Sequence, residues 1–196
     1  DVSNPSTPDG VAQITKTTDS DVSSMDLPKD IYMQEDKIYA VNDIGNSLAI
    51  IDVSDPLNPN GVSQTRNLLS SMDSPKEVYI QGDYAYIANF EGDSLTIIDI
   101  SNPNSPQGIG QITKNDDSDI SAMDGPTAVF VQGNYAYVTN RVGNSLTIID
   151  ISNPFNSNGI AQITNSDSDI NTMIVPMSVY IQGDYAYIAN FEGDSL

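Results

Sequence analysis

The sequence predicts an all-β fold, a β-propeller made of four-stranded blades of about fifty residues each. Three observations support this prediction: a tandem repeat covers the chain, each repeat contains four short apolar runs, and these runs carry apolar residues on both faces. No stretch of the sequence keeps the apolar period of an amphipathic helix.

The repeat is visible as near-identical text. The segment VYIQGDYAYIANFEGDSL occupies residues 78–95 and recurs letter for letter at 179–196, and related copies begin at Ile31 and Val129. A second marker, Ser-[Asn/Asp]-Pro, recurs at Pro5, Pro56, Pro103 and Pro154. The repeat boundaries are therefore expected near residues 1–53, 54–100, 101–151 and 152–196, with the last blade incomplete.

Each repeat divides into strands joined by turns. In the second repeat the apolar runs are 78–81, 84–90, 94–100 and 108–113, and the pair Gly82-Asp83 separates the first two. Tyr, Ile, Val and Thr dominate the runs, whereas Gly, Asp, Asn and Pro dominate the gaps, which is typical of strands and hairpins.

The two-sided apolar pattern selects the architecture. Leu95 and Ile97 point to one face of their strand, while Ile98 and Ile100 point to the other. A sheet that is apolar on both faces lies between two other sheets, as a propeller blade does. A parallel β-helix is the main rival, but its shorter rungs do not need a hairpin turn such as Gly82-Asp83.

The repeat phase predicts a blade that is divided between the ends of the chain. Residues 10–15 are expected to form an outermost strand, and the last repeat stops after its second strand. We therefore expect that the chain continues or that another copy donates the third strand, because an unpaired strand edge invites association.

Composition excludes several classes of function. The chain has 7 Lys and Arg residues against 27 Asp and Glu residues, for a formal net charge of −20. Such a charge disfavours nucleic acid and anionic membrane surfaces as partners. No apolar run approaches the ~20 residues of a membrane-spanning helix, so membrane insertion is not expected. The absence of Cys and His excludes Ser-His-Asp triads and the usual zinc sites within this chain, but leaves oxygen-ligand cations.

One variable loop is the candidate metal site. It lies between the outermost strand of one blade and the innermost strand of the next, and three of its four copies contain Asp-Ser-Asp. Clustered carboxylates on short turns suit Ca²⁺, although Asx-turns and solvated charge explain the same motif. The candidate ligands are Asp19, Asp21, Asp117, Asp119, Asp167 and Asp169.

A second loop is expected to share a rim with the first. It joins the second and third strands of each blade and reads NFEGDS in two copies. Its acidic residues extend the candidate binding face; they are Glu91, Asp93, Glu192 and Asp194.

Other repeated side chains are predicted to be structural. The aspartates that end each third strand are expected to accept backbone N–H groups of the following turn; they are Asp52, Asp99 and Asp150. The methionines of the variable loop are expected to fill gaps between blades; they are Met25, Met72, Met123 and Met173.

The run SLTIIDISNP, preceded by GDYAYIAN, resembles the LVIVD-type repeat of bacterial and archaeal surface β-propellers. The resemblance covers nearly the whole chain. The resemblance implies a propeller fold and an exported protein, and it implies no catalytic residues for this chain.

Together these observations favour a non-catalytic extracellular or cell-surface module with a structural, assembly or adhesion role. A polymer or fibre subunit fits, and calcium-bridged assembly would connect the acidic loops to that role. The expected partners are further copies of the chain, other surface proteins or glycans. The alternatives are a lectin, or a glycosidase or lyase that uses paired carboxylates. The enzyme is disfavoured because no carboxylate pair is unique to one blade and because Arg66 and Arg141 are the only arginines.

Overall fold

A computed structural model describes residues 1–66, 69–70, 72–167 and 170–192. Three antiparallel sheets of four strands follow one another along the chain, and a two-stranded hairpin comes last. Blade 1 contains β1 (Pro28–Gln34), β2 (Lys37–Asn42), β3 (Ser47–Asp52) and β4 (Asn60–Arg66). Blade 2 contains β5 (Pro75–Gln81), β6 (Tyr84–Asn89), β7 (Ser94–Asp99) and β8 (Gln107–Thr113). Blade 3 contains β9 (Pro126–Gln132), β10 (Tyr135–Asn140), β11 (Ser145–Asp150) and β12 (Asn158–Thr164), and blade 4 consists of β13 (Ile174–Gln182) and β14 (Tyr185–Glu192).

Each blade is a meander in which every strand pairs with its neighbour in sequence. The turn between the first two strands has a glycine in the left-handed region in blades 2 to 4, at Gly82, Gly133 and Gly183, with φ between 59° and 61°. Glycine adopts this conformation without a Cβ clash, which explains why it stands at the first position of these tight turns.

The first strands of successive blades lie side by side, in the order β1, β5, β9, β13, and are therefore innermost. Between the blades lie three apolar cores. One of them joins Tyr86, Leu95 and Ile97 of blade 2 to Val129 and Val138 of blade 3. The β-propeller predicted from the two-sided apolar pattern is thus the observed fold.

The N-terminal segment differs from the expectation. Residues 10–15 do not form a strand. The physical reason is the lack of a partner, because the third strand against which this outermost strand would pair is absent from the described part of blade 4. Ile14 instead packs with Val22 and Met25 against Ala40 and Ile51 of blade 1.

Helix is confined to two short 3-10 segments, Ser20–Val22 and Ser118–Ile120, within the described ranges. None of the helices described here is long and apolar enough to cross a membrane.

Candidate functional site

The Asp-Ser-Asp loops form caps for the two 3-10 segments. Asp19 and Asp117 precede these segments, and their carboxylates accept the backbone N–H groups of Asp21 and Asp119, both at 2.9 Å. Aspartate is well suited to this position because its short side chain reaches the first free N–H groups of a helical turn. The first aspartate of the motif therefore has a structural task in both loops.

Each capped segment rests on the outermost strand of the following blade. The second Asp19 carboxylate oxygen accepts the Gly61 N–H at 2.7 Å. In the equivalent place a Cβ on Gly159 would lie 2.7 Å from the Ile120 side chain. Glycine is required at this contact because the loop approaches the strand backbone closely.

The third Asp-Ser-Asp loop is built differently. Its carboxylate on Asp167 accepts the Thr164 N–H at 2.8 Å, as Asp116 does for Thr113 at 2.7 Å. This loop therefore uses its first aspartate to close the turn after the outermost strand. Asp169 lies outside the described residues.

The second acidic loop contacts the first directly, across the blade boundary. Asp93 adopts φ 45°, and its carboxylate accepts the Gly125 N–H of the next loop at 2.9 Å. Asn46 and Asn144 occupy the equivalent positions and accept the N–H groups of Ser74 and Val175 at 2.9 and 2.8 Å. Asn and Asp tolerate left-handed backbone better than other non-glycine residues, which explains their recurrence here.

The glutamates of the second loop differ from Asp93 in that they point to solvent. Glu91 and Glu192 are exposed, and Asp194 lies outside the described residues. No three acidic side chains of the described ranges converge into a group that could hold a metal ion. Calcium binding by the Asp-Ser-Asp loops stays a prediction. The structure gives a separate reason for the first aspartate of each loop, which accepts a backbone N–H group.

The repeated residues expected to be structural do have structural contacts. The carboxylates that end the third strands accept the N–H group two residues later, at 2.8 to 2.9 Å, in Asp52, Asp99 and Asp150. Side-chain and backbone hydrogen bonds from Ser54, followed by Lys37, lower the pKa of Asp52 to about 2. The loop methionines lie in the apolar cores, with Met72, Met123 and Met173 buried and Met25 partly buried.

Sequence reasoning missed the bonds that join the innermost strands. A glutamine ends β1, β5 and β9, and its side-chain amide donates to the turn glycine carbonyl of the next blade at 2.9 to 3.1 Å. An aromatic row runs alongside, with ring centroids 5.1 to 5.2 Å apart, through Tyr32, Tyr79, Phe130 and Tyr180. Alignment of the repeats shows both positions, but only the packing of the blades shows that they touch.

Two carboxylates on the innermost strands form a second kind of bond between blades. Asp30 accepts the Val78 N–H at 3.0 Å, and Glu77 accepts the Val129 N–H at 2.6 Å. Burial raises the pKa of Glu77 to about 7, opposed by the Val129 N–H and reinforced by the Asp30 charge. Blade 3 has Ala128 at this position, so the pair is not repeated around the propeller.

The outer faces of the first and last blades are open. We call the face toward the preceding blade the leading face and the face toward the next blade the trailing face. On the leading face of blade 1, Ile31 and Met33 are each 61% exposed, whereas the equivalent Val78 of blade 2 is 2% exposed. On the trailing face of blade 4, Tyr187 is 45% exposed, whereas the equivalent Tyr86 is 2% exposed.

Comparison of the chain with protein families supports the repeat assignment. The LVIVD repeat matches residues 29–65, 74–113, 126–158 and 176–194, which together form more than half of the chain. Each matched stretch contains the innermost strand of a blade or all but its first residues. No curated protein sequence matches the chain.

Solved structures share the fold. Hydrazine synthase of Kuenenia stuttgartiensis is 22% identical, with a TM-score of 0.58 over 82% of this chain and 40% of its own. A protein from Lactobacillus plantarum is 17% identical, with a TM-score of 0.57 over 70% of this chain and 41% of its own. A candidate 6-phosphogluconolactonase from Bacteroides uniformis is 13% identical, with a TM-score of 0.61 over 82% of this chain and 49% of its own. The chain thus spans less than half of each of these proteins, and at these identities the likeness concerns the fold alone.

Proposed function

Because the chain belongs to the LVIVD repeat family, we propose that it is a non-catalytic extracellular or cell-surface module that assembles head to tail with further copies of itself. The observation that carries this proposal is the pair of open blade faces. On their inner strands, both faces present side chains whose equivalents are buried at a junction inside the chain.

The trailing face of blade 4 repeats part of a surface that is buried inside the chain. Residues 179–192 of blade 4 repeat residues 78–91 of blade 2 letter for letter, and the trailing face of blade 2 packs against blade 3. Tyr180, at 59% exposed, ends the aromatic row and is available to a following ring at the place where Tyr79 contacts Phe130.

The leading face of blade 1 is its counterpart. Ile31 and Met33 correspond to Val129 and Val131, the residues of blade 3 that are buried against blade 2. Residues 14–25 cover the outer part of this face and leave its inner part exposed. A second copy that placed β1 against β13 would therefore bury apolar side chains on both partners.

An interface between two different faces links copies head to tail, and the rotation between successive copies decides whether they close into a ring or extend as a filament. This geometry suits a polymer or fibre subunit, and it also suits a role in which every blade performs the same task. The three internal junctions repeat the same glutamine and aromatic contacts, which supports a task that the blades share. Export to the cell surface is the expectation that accompanies this role.

The proposal is tested by disabling one face at a time. Tyr187→Glu should block the trailing face and Met33→Glu the leading face, so each variant alone should sediment as a monomer while the unmodified chain forms concentration-dependent oligomers. A mixture of the two variants should form a dimer and nothing larger, because one intact face of each kind remains. Leu57→Glu is the matched control, since Leu57 is 61% exposed but lies on a loop, and it should assemble normally.

Two outcomes would contradict the proposal. The unmodified chain could remain monomeric at every concentration, in which case the open faces do not bind a second copy. Alternatively, both variants could assemble as the unmodified chain does, which would place the contact on another surface.

A further inference from the structure

Three of the seven basic residues of this acidic chain meet in one cavity. Lys29, Lys76 and Arg141 line a space of about 350 Å³ together with Phe90, Thr127 and Met177. On a surface with a net charge of −20, basic side chains are expected to lie beside carboxylates and apart from one another. The grouping of three of them in one cavity therefore calls for a physical explanation.

The cavity lies at the mouth of the space between the innermost strands. In all four blades the residue that follows the strand proline contributes to its wall; these residues are Lys29, Lys76, Thr127 and Met177. Arg141 and Phe90 enter from the loops that join the second and third strands of blades 3 and 2. Side chains from every blade therefore meet at this point, although their positions are far apart in the sequence.

The cavity has an excess of positive charge. Asp43 is the carboxylate that faces the two lysines, with 2.8 Å to the Lys76 ammonium and 3.5 Å to that of Lys29. The Ser74 hydroxyl also donates to Asp43, at 2.5 Å. Burial would raise the pKa of Asp43, but the bonds from Lys76 and Ser74 and the charge of Lys29 lower it, so one negative charge stands against three positive ones.

Arg141 supplies the uncompensated charge. Its guanidinium is exposed, and no carboxylate of the described ranges lies within ion-pair distance of it. A guanidinium presents a planar fork of donors that matches two oxygens of a carboxylate or phosphate. The Lys76 ammonium is held 5.3 Å from the centre of the Phe90 ring, which fixes a second donor near it.

We propose that this cavity binds a small organic oxyanion of the size of an acidic sugar. Its carboxylate or phosphate group lies between Arg141 and the two lysines, and its less polar part contacts Met177. Bound ligand then contacts all four blades at once. This site is separate from the blade faces of the assembly proposal.

The test is calorimetric titration of the Tyr187→Glu variant, which keeps every residue of the cavity and is measured as a single species. The probes are glucuronate and glucose 6-phosphate, with neutral glucose as the control ligand. We expect saturable binding of at least one anion and none of glucose. The two anions distinguish a carboxylate site from a phosphate site.

Substitutions locate the bound anion. Arg141→Gln should raise the dissociation constant about tenfold or more, as the loss of a hydrogen bond to a charged group does. Arg66→Gln, the matched control, removes the other exposed arginine, which lies on β4 outside the cavity, and should leave the constant unchanged. Lys29→Gln should also weaken binding. Equal binding of glucose, no saturable binding of either anion, or equal effects of Arg141→Gln and Arg66→Gln would each overturn the proposal.

Discussion

The Lys114 ammonium lies 2.5 Å from the Asp93 carboxylate and 3.5 Å from Asp124, and so it joins the end of one blade to the loop that begins the next. The junction between blades 1 and 2 achieves the same connection without a cation. There the Asn46 amide donates to the Asp73 carboxylate at 2.8 Å. The equivalent Asp93 cannot donate to Asp124 in this way, because an ionised carboxylate has no proton to give. Lys114 thus compensates for an aspartate at a position where blades 1 and 3 have asparagine.

This relationship predicts a strong coupling between Lys114 and Asp93. Lys114→Ala should destabilise the protein by about 0.5–1 kcal/mol, because it leaves Asp93 and Asp124 facing each other without a cation. In an Asp93→Asn background the same change should cost much less, since asparagine can donate to Asp124 directly. Urea unfolding of the four proteins in this double-mutant cycle measures the coupling.

The cycle has its own pH control. Burial alone would raise the pKa of Asp93, but the hydrogen bonds from Lys114 and the Gly125 N–H lower it below its usual value. Stability from a lowered carboxyl pKa is present above the unfolded value of 3.8 and is lost as the pH falls through the folded value. A coupling energy that persisted after Asp93 had become protonated would contradict the ion-pair explanation.

Glu77 should make the protein less stable as the pH rises. Burial raises its pKa from 4.5 to about 7, so between these values the folded protein binds a proton that the unfolded chain releases. The free energy of unfolding contributed by this group therefore falls across that interval and is constant above it. Glu77→Gln keeps an oxygen for the Val129 N–H and should stabilise the protein at pH about 8 by on the order of 1–3 kcal/mol.

The measurement is the difference between the pH-stability curves of Glu77→Gln and the unmodified protein. Glu91→Gln serves as the control because it removes the charge of an exposed glutamate. A difference for Glu77→Gln that does not grow with pH would show that its carboxyl group titrates normally.

The two aspartates of one Asp-Ser-Asp loop should differ in their effect on stability. Asp117→Ala removes the cap of the 3-10 segment Ser118–Ile120 and should cost about 1 kcal/mol, whereas Asp119→Ala should cost little because Asp119 is exposed. Thermal unfolding of both variants, with and without added Ca²⁺, checks this prediction. If Ca²⁺ raises the unmodified protein's melting temperature and both substitutions abolish the shift, the loop binds the ion as well.

The buried methionines should carry more stability than the partly buried one. Met123→Ala is expected to reduce the free energy of unfolding by about 2–5 kcal/mol, because it opens a cavity in the core between blades 2 and 3. Met25→Ala, at the equivalent loop position before blade 1, should cost clearly less, since only the N-terminal segment and blade 1 surround it. Equal losses in urea unfolding would show that the end of the propeller is packed as tightly as its interior.

Much of the fold could be predicted because its determinants are local and repeated. Turn glycines such as Gly82 and the alternation of Leu95, Ile97 and Ile98 specify hairpins and two-sided sheets within a few residues. A two-sided sheet needs neighbours on both faces, and this requirement leads from the strand pattern to stacked blades without further information. The exception, at residues 10–15, concerns a segment whose pairing partner is distant and absent from the described chain.

The sequence by itself thus determined the blades, their order and the structural tasks of Asp52 and the loop methionines. Only the tertiary structure decided which side chains meet across blades: Glu77 with the Val129 N–H, Lys114 with Asp93, and Arg141 with Lys29 and Lys76. These residues are separated in the chain by tens of positions or more. Their contacts depend on the angle and register at which one sheet packs on the next, which no local pattern encodes.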